Sequence, residues 1–350
     1  MGKLHTTGAS RGSSLAYAAW DGGRSPTMGM RILGWGTALP DKVVTNEDLE
    51  RTLDTSDEWI VDRSGIRERR IGESTAALAA AAGRKALERA GVEASSIDLL
   101  ILATTTPDQT VPATSAAVHR ALGLAGGGFD LNAACSGFVY GLVAAHGLLA
   151  TGTRRVLLVG AETLSRITDW SDRNTAVLFG DGGGALVLEH VPGEGQLLAF
   201  DLGLDGEARE ILMADVGGTI QMDGREVFKR AVRVVVESAK RTLDRAKVRA
   251  DEIKLLVPHQ ANIRIIQAAC DRLGIDRERA AIVLDRTGNT SSASIPLALA
   301  DAIDSGRLED GDLVLMTGFG AGMTWGSALL RWQDPGTGTL PGREDGSHDD

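Results

Sequence analysis

The 350-residue chain has only two cysteines, Cys135 and Cys270, and no apolar run near the roughly 18 residues of a membrane span. Two cysteines make no disulfide framework, which fits a reducing cytoplasm. Positive charge is also scarce: 37 Lys and Arg stand against 47 Asp and Glu, a formal net charge of −10. That balance argues against non-specific nucleic-acid binding, although a local basic patch can still dock an acidic partner. No group of residues has metal-ligand spacing. Of the glycine-rich runs, Gly180 to Gly184 and Gly318 to Gly322, neither carries the Lys-Ser/Thr of a P-loop or a G-x-G-x-x-G between strand and helix. Both read as tight backbone turns, the second offering an N–H to a developing oxyanion. What is left is an ordinary globular composition, 43% apolar and 24% charged. Two ends are expected to be disordered: residues 1–29, rich in Gly, Ser and Thr to about Pro26, and residues 334–350, which lack apolar mass.

What is present is a duplication. Leu87 to Ile101 (LERAGVEASSIDLLI) and Leu243 to Val257 (LDRAKVRADEIKLLV) align without gaps at an offset of 156 residues, with Leu, Arg, Ala, Val, Ala, Ile, Leu and Leu coinciding. Each copy reads as a helix end running into a buried strand, and each precedes a segment of chemical character, ATTTPD in the first and PHQAN in the second. The chain is therefore expected to be α/β, with two pseudo-duplicated halves at 30–193 and 194–333. Ligands bind at strand ends in open α/β sheets, so a site between the halves is the first expectation.

Further elements fill in this plan. Strands are expected at Met30 to Leu39, Leu99 to Ala103, Phe129 to Leu131, Val156 to Val159, Ala185 to Leu188, Leu197 to Leu202, Leu255 to Val257, Ala281 to Leu284, Leu313 to Met316 and Ser327 to Trp332. Helices are expected from about Asn46, from Ser74 or Thr75 to Ala90, and at Pro112 to Leu122, Ser136 to Ala150, Val227 to Arg245, Asn262 to Leu273 and Ser294 to Ser305.

Cys135, in NAACSGF, follows a strand and opens a long apolar helix. The helix N-terminus and its unpaired N–H groups stabilise thiolate, so its pKa is expected to fall and Cys135 to be a nucleophile. Cys270, on an amphipathic helix, reads as core. His259 should project from the C-terminal end of a strand, whereas His119, His146 and His190 read as surface or core groups. Asn289, in DRTGNTSSAS, also lies between strand and helix, and the repeat offset carries it to Ala133, two residues from the thiol.

These residues resemble the thiolase superfamily and, within it, the β-ketoacyl-acyl-carrier-protein synthases of type III. The motifs are DTSDEWI at Asp54 to Ile60, SGIRER at Ser64 to Arg69, AACSGF, FGDG at Phe179 to Gly182, VPHQAN, GNTSSAS and GFGAGMTWGSA, together spanning about Met30 to Trp332. The resemblance implies a five-layered α-β-α-β-α fold and a homodimer. It implies a decarboxylative condensation of an acyl-CoA primer with malonyl-acyl-carrier protein through an acyl-Cys135 intermediate. His259 Nε2 and the Asn289 amide would donate to the enolate, and the backbone N–H groups of Cys135 and Ala321 would form an oxyanion hole. Trp59 and Arg173 would hold the adenine of coenzyme A. Phe179, Phe319, Met222 and the partner subunit's copy of Val111 would shape the acyl pocket, and Arg264, Lys229 and Arg272 would dock the acyl carrier protein. Acyl-CoA and the malonyl carrier are substrates, and no cofactor or metal is implied. The alternative is a starter or acyltransferase enzyme of a polyketide-type pathway.

Other readings fit less well. Long-chain elongating synthases resemble Cys-His-His sites, degradative thiolases carry a second reactive cysteine where this chain has Gly320-Ala321-Gly322, and plant-type polyketide synthases lack the Trp59 motif. Papain-like proteases share the order Cys, His, Asn, but the CGSCW signature is absent and the doubled α/β plan is wrong for them. A non-catalytic paralogue would not need all of Cys135, His259 and Asn289. Against the common bacterial enzymes of the family, the segment from Leu204 to Met222 is shorter, and Asp271 replaces a lysine near the carrier surface.

Overall fold

The computed structural model describes residues 28–336. The two repeat copies fold alike. Helix Thr75–Ala90 ends in a left-handed cap at Gly91 and helix Gly224–Ala246 in one at Lys247, and each leads through a 3-10 turn into strand Leu99–Ala103 or Ile253–Pro258. The second copy places a lysine at φ 56° where the first has glycine, so the cap geometry survives the less suitable residue. These two helices start on side-chain caps: Ser74 accepts from Ala77 N–H, and Asp223 from the N–H groups of Arg225 and Glu226.

Two sheets follow from the duplication. The first runs in the order Met28–Ala38, Asp181–Pro192, Arg155–Thr163, Leu99–Ala103, Gly127–Leu131, with the last three strands parallel. The second runs Ile253–Pro258, Leu313–Gly320, Thr324–Arg331, Leu197–Leu204, and its first pair is parallel. Between the sheets lie helices Gly137–Ala150 and Ser294–Asp304. Phe138, Leu142 and Leu149 of one, and Ile295, Leu297 and Leu299 of the other, share a core with Ile101 and Leu158 of the first sheet and Val257 and Val314 of the second. Outer helices Thr75–Ala90 and Thr114–Leu122 cover the first sheet, and Gly224–Ala246 and Ile263–Leu273 the second. The five layers of the thiolase-like fold are thus helix, sheet, paired helices, sheet, helix. Both central helices must be nearly apolar all round because both faces meet a sheet, and removing one large core side chain costs about 2–5 kcal/mol.

One expected strand is absent. Around Ala281 to Leu284 only Ala280 bridges to Leu256, and Leu284–Thr287 is a short helix. The reason is Gln260, fully buried. Its amide oxygen accepts from the N–H groups of Val283 and Leu284, and its NH2 donates to the Ala281 carbonyl at 3.1 Å. One side chain satisfies the main chain there, so no ladder forms. Helix Pro112 to Leu122 begins at Thr114. The shortened segment folds as a 3-10 helix, Gly206–Ile211, and a small antiparallel pair, Leu212–Met213 with Gln221–Met222. The expected disordered ends lie outside the described residues, except for residues 28–29, which open the first strand, and 334–336.

Candidate active site

Strand ends of both sheets converge on one cavity of about 1150 Å3, lined by Cys135, His259 and Asn289 together with Trp59, Phe179, Met222, Phe319, Ala321 and Arg264. Cys135 sits in the 3-10 turn Ala134–Ser136, just before helix Gly137–Ala150. Ala134 takes φ 49°, a left-handed backbone rare outside glycine, and its N–H donates to Asn132 Oδ1 at 3.1 Å. The turn is clamped from the other half: Ser136 Oγ lies 2.8 Å from Thr324 Oγ1, which donates to the Ala133 carbonyl at 2.9 Å. Gly320 presses against the same turn, since a Cβ there would lie 2.5 Å from the Cys135 nitrogen. The glycine-rich run is therefore a close-approach device that brings the Ala321 backbone beside that of Cys135. Gly320→Ala should displace the turn and lower the acylation rate at least about tenfold, since misplacing reacting groups by an ångström can cost about 100-fold. Acylation and melting temperature both at wild-type values would show that the turn absorbs the methyl.

Asn289 joins the halves by backbone. Its N–H donates to the Leu178 carbonyl at 2.8 Å, and its carbonyl accepts from Gly180 N–H at 3.0 Å, pairing the FGDG and GNTSS segments. Ser291 N–H donates to Asn289 Oδ1 at 2.9 Å. With its oxygen held, the side chain keeps its NH2 for donation. His259 N–H donates to the Thr317 carbonyl at 2.8 Å, tying the residue to the neighbouring strand. The ring is 3% exposed and meets Phe319 edge-on at 5.4 Å between centroids. Its Nδ1 lies 2.6 Å from Ser294 Oγ.

Electrostatics correct one expectation. Burial pushes the Cys135 thiol up to about 12, a Ser291 hydrogen bond opposes the rise, and the Glu162 carboxylate adds to it. The resting group is a thiol, not a thiolate. The dipole of the helix that starts at Gly137 is worth about 0.3–1 kcal/mol, less than the cost of burying a thiolate. Burial likewise depresses His259 to about 3, so the imidazole is neutral.

Trp59 is stacked by both Arg63 and Arg173, whose guanidinium carbons sit 4.8 and 4.7 Å from the ring centre. Helix Asp57–Ser64, capped by Ser56, presents Trp59 and Arg63 one turn apart. Val111 does not line the cavity and is 82% exposed. Arg264 lines the cavity, whereas Lys229 and Arg272 do not. Lys229 pairs with Glu226 at 3.8 Å, Arg230 with Asp205 at 3.3 Å, and Asp271 forms a two-pronged pair with Arg277. The cations at the cavity wall are Arg63, Arg209, Arg225 and Arg264. Cys270 is buried in the second core, and among the described residues no cluster suits a metal ion.

Two groups beside the triad carry no motif of their own. Glu162 is fully buried and accepts from the hydroxyls of Thr104, Thr105, Thr106, Ser291 and Ser292, stitching the first half's ATTTPD segment to the second half's GNTSS turn. Its only signal in the sequence is a charge at the end of an apolar strand. The other is Ser294, one hydroxyl among several in GNTSSAS.

Residues 129–206 match the family model 3-oxoacyl-[acyl-carrier-protein (ACP)] synthase III, and residues 243–332 match its C-terminal counterpart. The chain is 47% identical over 310 residues to β-ketoacyl-[acyl-carrier-protein] synthase III 1 of Bacillus anthracis, covering 87% of this chain and 99% of that relative. The chain belongs to the synthase III family. The crystal structure of 3-oxoacyl-[acyl-carrier-protein] synthase III from Aquifex aeolicus VF5 is 45% identical, with a TM-score of 0.85, covering 87% of this chain and 100% of that one. The priming β-ketosynthase of the R1128 polyketide pathway shares the synthase III architecture, with a TM-score of 0.84, but is 37% identical over 90% of this chain and 99% of its own. The lower identity does not favour the polyketide alternative.

Proposed function

We propose that this synthase condenses an acyl-CoA primer with malonyl-acyl-carrier protein to give 3-ketoacyl-acyl-carrier protein. The observation that carries this is the convergence of Cys135, His259 and Asn289 on one cavity in a member of the synthase III family. Cys135 is the nucleophile. Its S–H bond breaks as sulfur attacks the primer thioester, and the proton ends on the departing CoA sulfur, so acylation consumes no proton. Starting from a neutral thiol, attack and proton loss are coupled to substrate arrival. Malonyl then loses CO2, and the electron pair of the broken C–C bond becomes an enolate. Nε2–H of neutral His259 and the NH2 of Asn289 donate to its oxygen, while the N–H groups of Cys135 and Ala321 hold the oxyanion of the acyl-enzyme. The enolate carbon attacks that acyl group, and Cys135 leaves as a thiolate that takes one proton from water. No cofactor takes part in this scheme. Purified protein given acetyl-CoA and malonyl-acyl-carrier protein should release one CO2 and one CoA per ketoacyl product, and release of CoA without ketoacyl product would overturn the reading.

The remaining assignments belong to the same proposal: a cytoplasmic homodimer in which adenine inserts at the Trp59–Arg173 stack. Among the described residues no helix is long and apolar enough to cross a membrane. The exposed Val111 of each subunit closes the partner's acyl pocket. A valine leaves more room than the phenylalanine of many relatives, so primers longer than acetyl should be accepted, and Val111→Phe should narrow the range toward acetyl. A monomer in solution, or an unchanged primer range, would sink this. Arg264, exposed at the cavity mouth, docks the acidic carrier. Rim charges steer encounter more than they hold a complex, and salt screens them over about 8 Å. Arg264→Glu should raise KM for malonyl-acyl-carrier protein and flatten its salt dependence while primer acylation is unchanged. Equal loss in both half-reactions would assign Arg264 to the fold or to CoA binding.

A further inference from the structure

One residue reaches both edges of the oxyanion hole. Thr324, buried at the cavity wall, opens strand Thr324–Arg331 opposite Gly320 of strand Leu313–Gly320. Its backbone N–H donates to the Ala321 carbonyl and closes the 3-10 turn Ala321–Met323. Its hydroxyl crosses to the first half, accepting from Ser136 Oγ at 2.8 Å and donating to the Ala133 carbonyl at 2.9 Å. Ser136 Oγ also lies 2.7 Å from that carbonyl, so the serine proton can serve either oxygen. The Thr324 proton reaches the carbonyl in both cases, because a carbonyl oxygen has two lone pairs. The two carbonyls that Thr324 holds belong to the peptide units next to those carrying the N–H groups of Ala321 and Cys135.

The Cys135 N–H depends on such a tie because the turn that carries it is strained. Ala134 sits at φ 49°, which a non-glycine residue keeps only where its surroundings enforce it. Gly320 sets how closely the two backbones approach: a Cβ there would lie 2.5 Å from the Cys135 nitrogen and 3.1 Å from Thr324 Oγ1. Close contact limits distance but leaves the two segments free to slide and turn, whereas a hydrogen bond also fixes direction. Two N–H groups stabilise one oxyanion only when both point at it. We infer that Thr324 is the positioning residue that locks the Cys135 and Ala321 N–H groups in one relative orientation, so that both donate to the same thioester oxygen. This rests on the condensing activity proposed above. The hydroxyl is spent on Ser136 and Ala133, so it acts through the two peptide units and not on substrate. Acylation and carbon–carbon bond formation each add a nucleophile to a thioester carbonyl and need this hole. Decarboxylation instead places its charge on the enolate oxygen at His259 and Asn289.

The test uses full-length Thr324→Val, which keeps the side chain's shape but not its hydroxyl, and Thr324→Ser, which keeps the hydroxyl. Transfer of a 13C-labelled acetyl group from acetyl-CoA to Cys135 should slow at least about tenfold in Thr324→Val, because misaligned donors forfeit part of the roughly 100-fold that one oxyanion donor supplies. KM for acetyl-CoA should stay near wild type. CO2 release from malonyl-acyl-carrier protein should also stay near wild type, so that CO2 exceeds ketoacyl product, the reverse of the loss expected on removing His259. Hydrogen bonds to a carbonyl oxygen weaken its double bond. The infrared stretch of the labelled thioester should therefore move to higher wavenumber in Thr324→Val, and Thr324→Ser should return both band and rate. A Thr324→Val protein that acylates at the wild-type rate, or whose band does not move, would overturn the inference. So would equal loss of acylation and CO2 release with a lowered melting temperature, the mark of a residue that serves the fold alone, or failure of Thr324→Ser to recover. A wild-type protein that forms no acyl-Cys135 would refute the condensing reading itself, and this inference with it.

Discussion

Cys135→Ala is expected to abolish acylation outright. Wild-type protein incubated with acetyl-CoA or longer acyl-CoA should gain one acyl mass on the peptide containing Cys135, and the alanine variant none. Both halves build the surroundings of this sulfur: the Ala134 backbone is left-handed, Thr324 of the second sheet ties down the turn through Ser136, and Gly320 leaves room only for main chain. Cys270 is buried among apolar side chains, and burial pushes its thiol up to about 11, with the Asp271 charge adding to the rise. An acyl group found on Cys270 would refute the assignment. Alkylation of the free enzyme by iodoacetamide should be slow below about pH 9, because the resting Cys135 is a thiol. Rapid alkylation at pH 7 would show that the helix dipole outweighs burial after all.

The second large effect separates the half-reactions. His259→Ala and Asn289→Ala should still acylate but lose malonyl decarboxylation by about 100-fold or more, the scale of removing one oxyanion donor. Normal decarboxylation by both variants would end the enolate-stabilising role. An ordinary histidine would charge as pH falls through about 6.5. His259, depressed to about 3 by burial, stays neutral there, so wild-type decarboxylation should show no acid limb from this residue between about pH 5 and 7. The sign for stability is the reverse of a paired histidine's. The unfolded ring takes up a proton below about 6.5 and the folded ring does not, so the stability that its neutral burial permits is full above that pH and declines as pH falls toward 3.

The doubled chain, the order of most strands and helices, and the placement of Cys135 and His259 just beyond strand ends were legible in the amino-acid sequence, whereas Asn289 follows the short helix Leu284–Thr287 and not the expected strand. They depend on local periodicity and on an offset of 156 residues, and both survive without knowledge of what packs where. Arg264 at the cavity wall was legible for the same reason, as a cation in the first turn of a helix that follows His259. Only the tertiary structure decided the charge states. A motif read alone gives Cys135 a helix N-terminus and hence a lowered pKa, whereas the folded molecule surrounds it with both halves and places the Glu162 carboxylate close by. It likewise placed Arg63, Arg209 and Arg225 at the cavity wall and let the Gln260 side chain stand in for a strand. Each of these depends on contacts between residues far apart in the chain, such as Glu162 with Ser291 or Ser294 with His259. Desolvation and buried hydrogen bonds are set by everything that encloses a group. No window along the chain contains that enclosure.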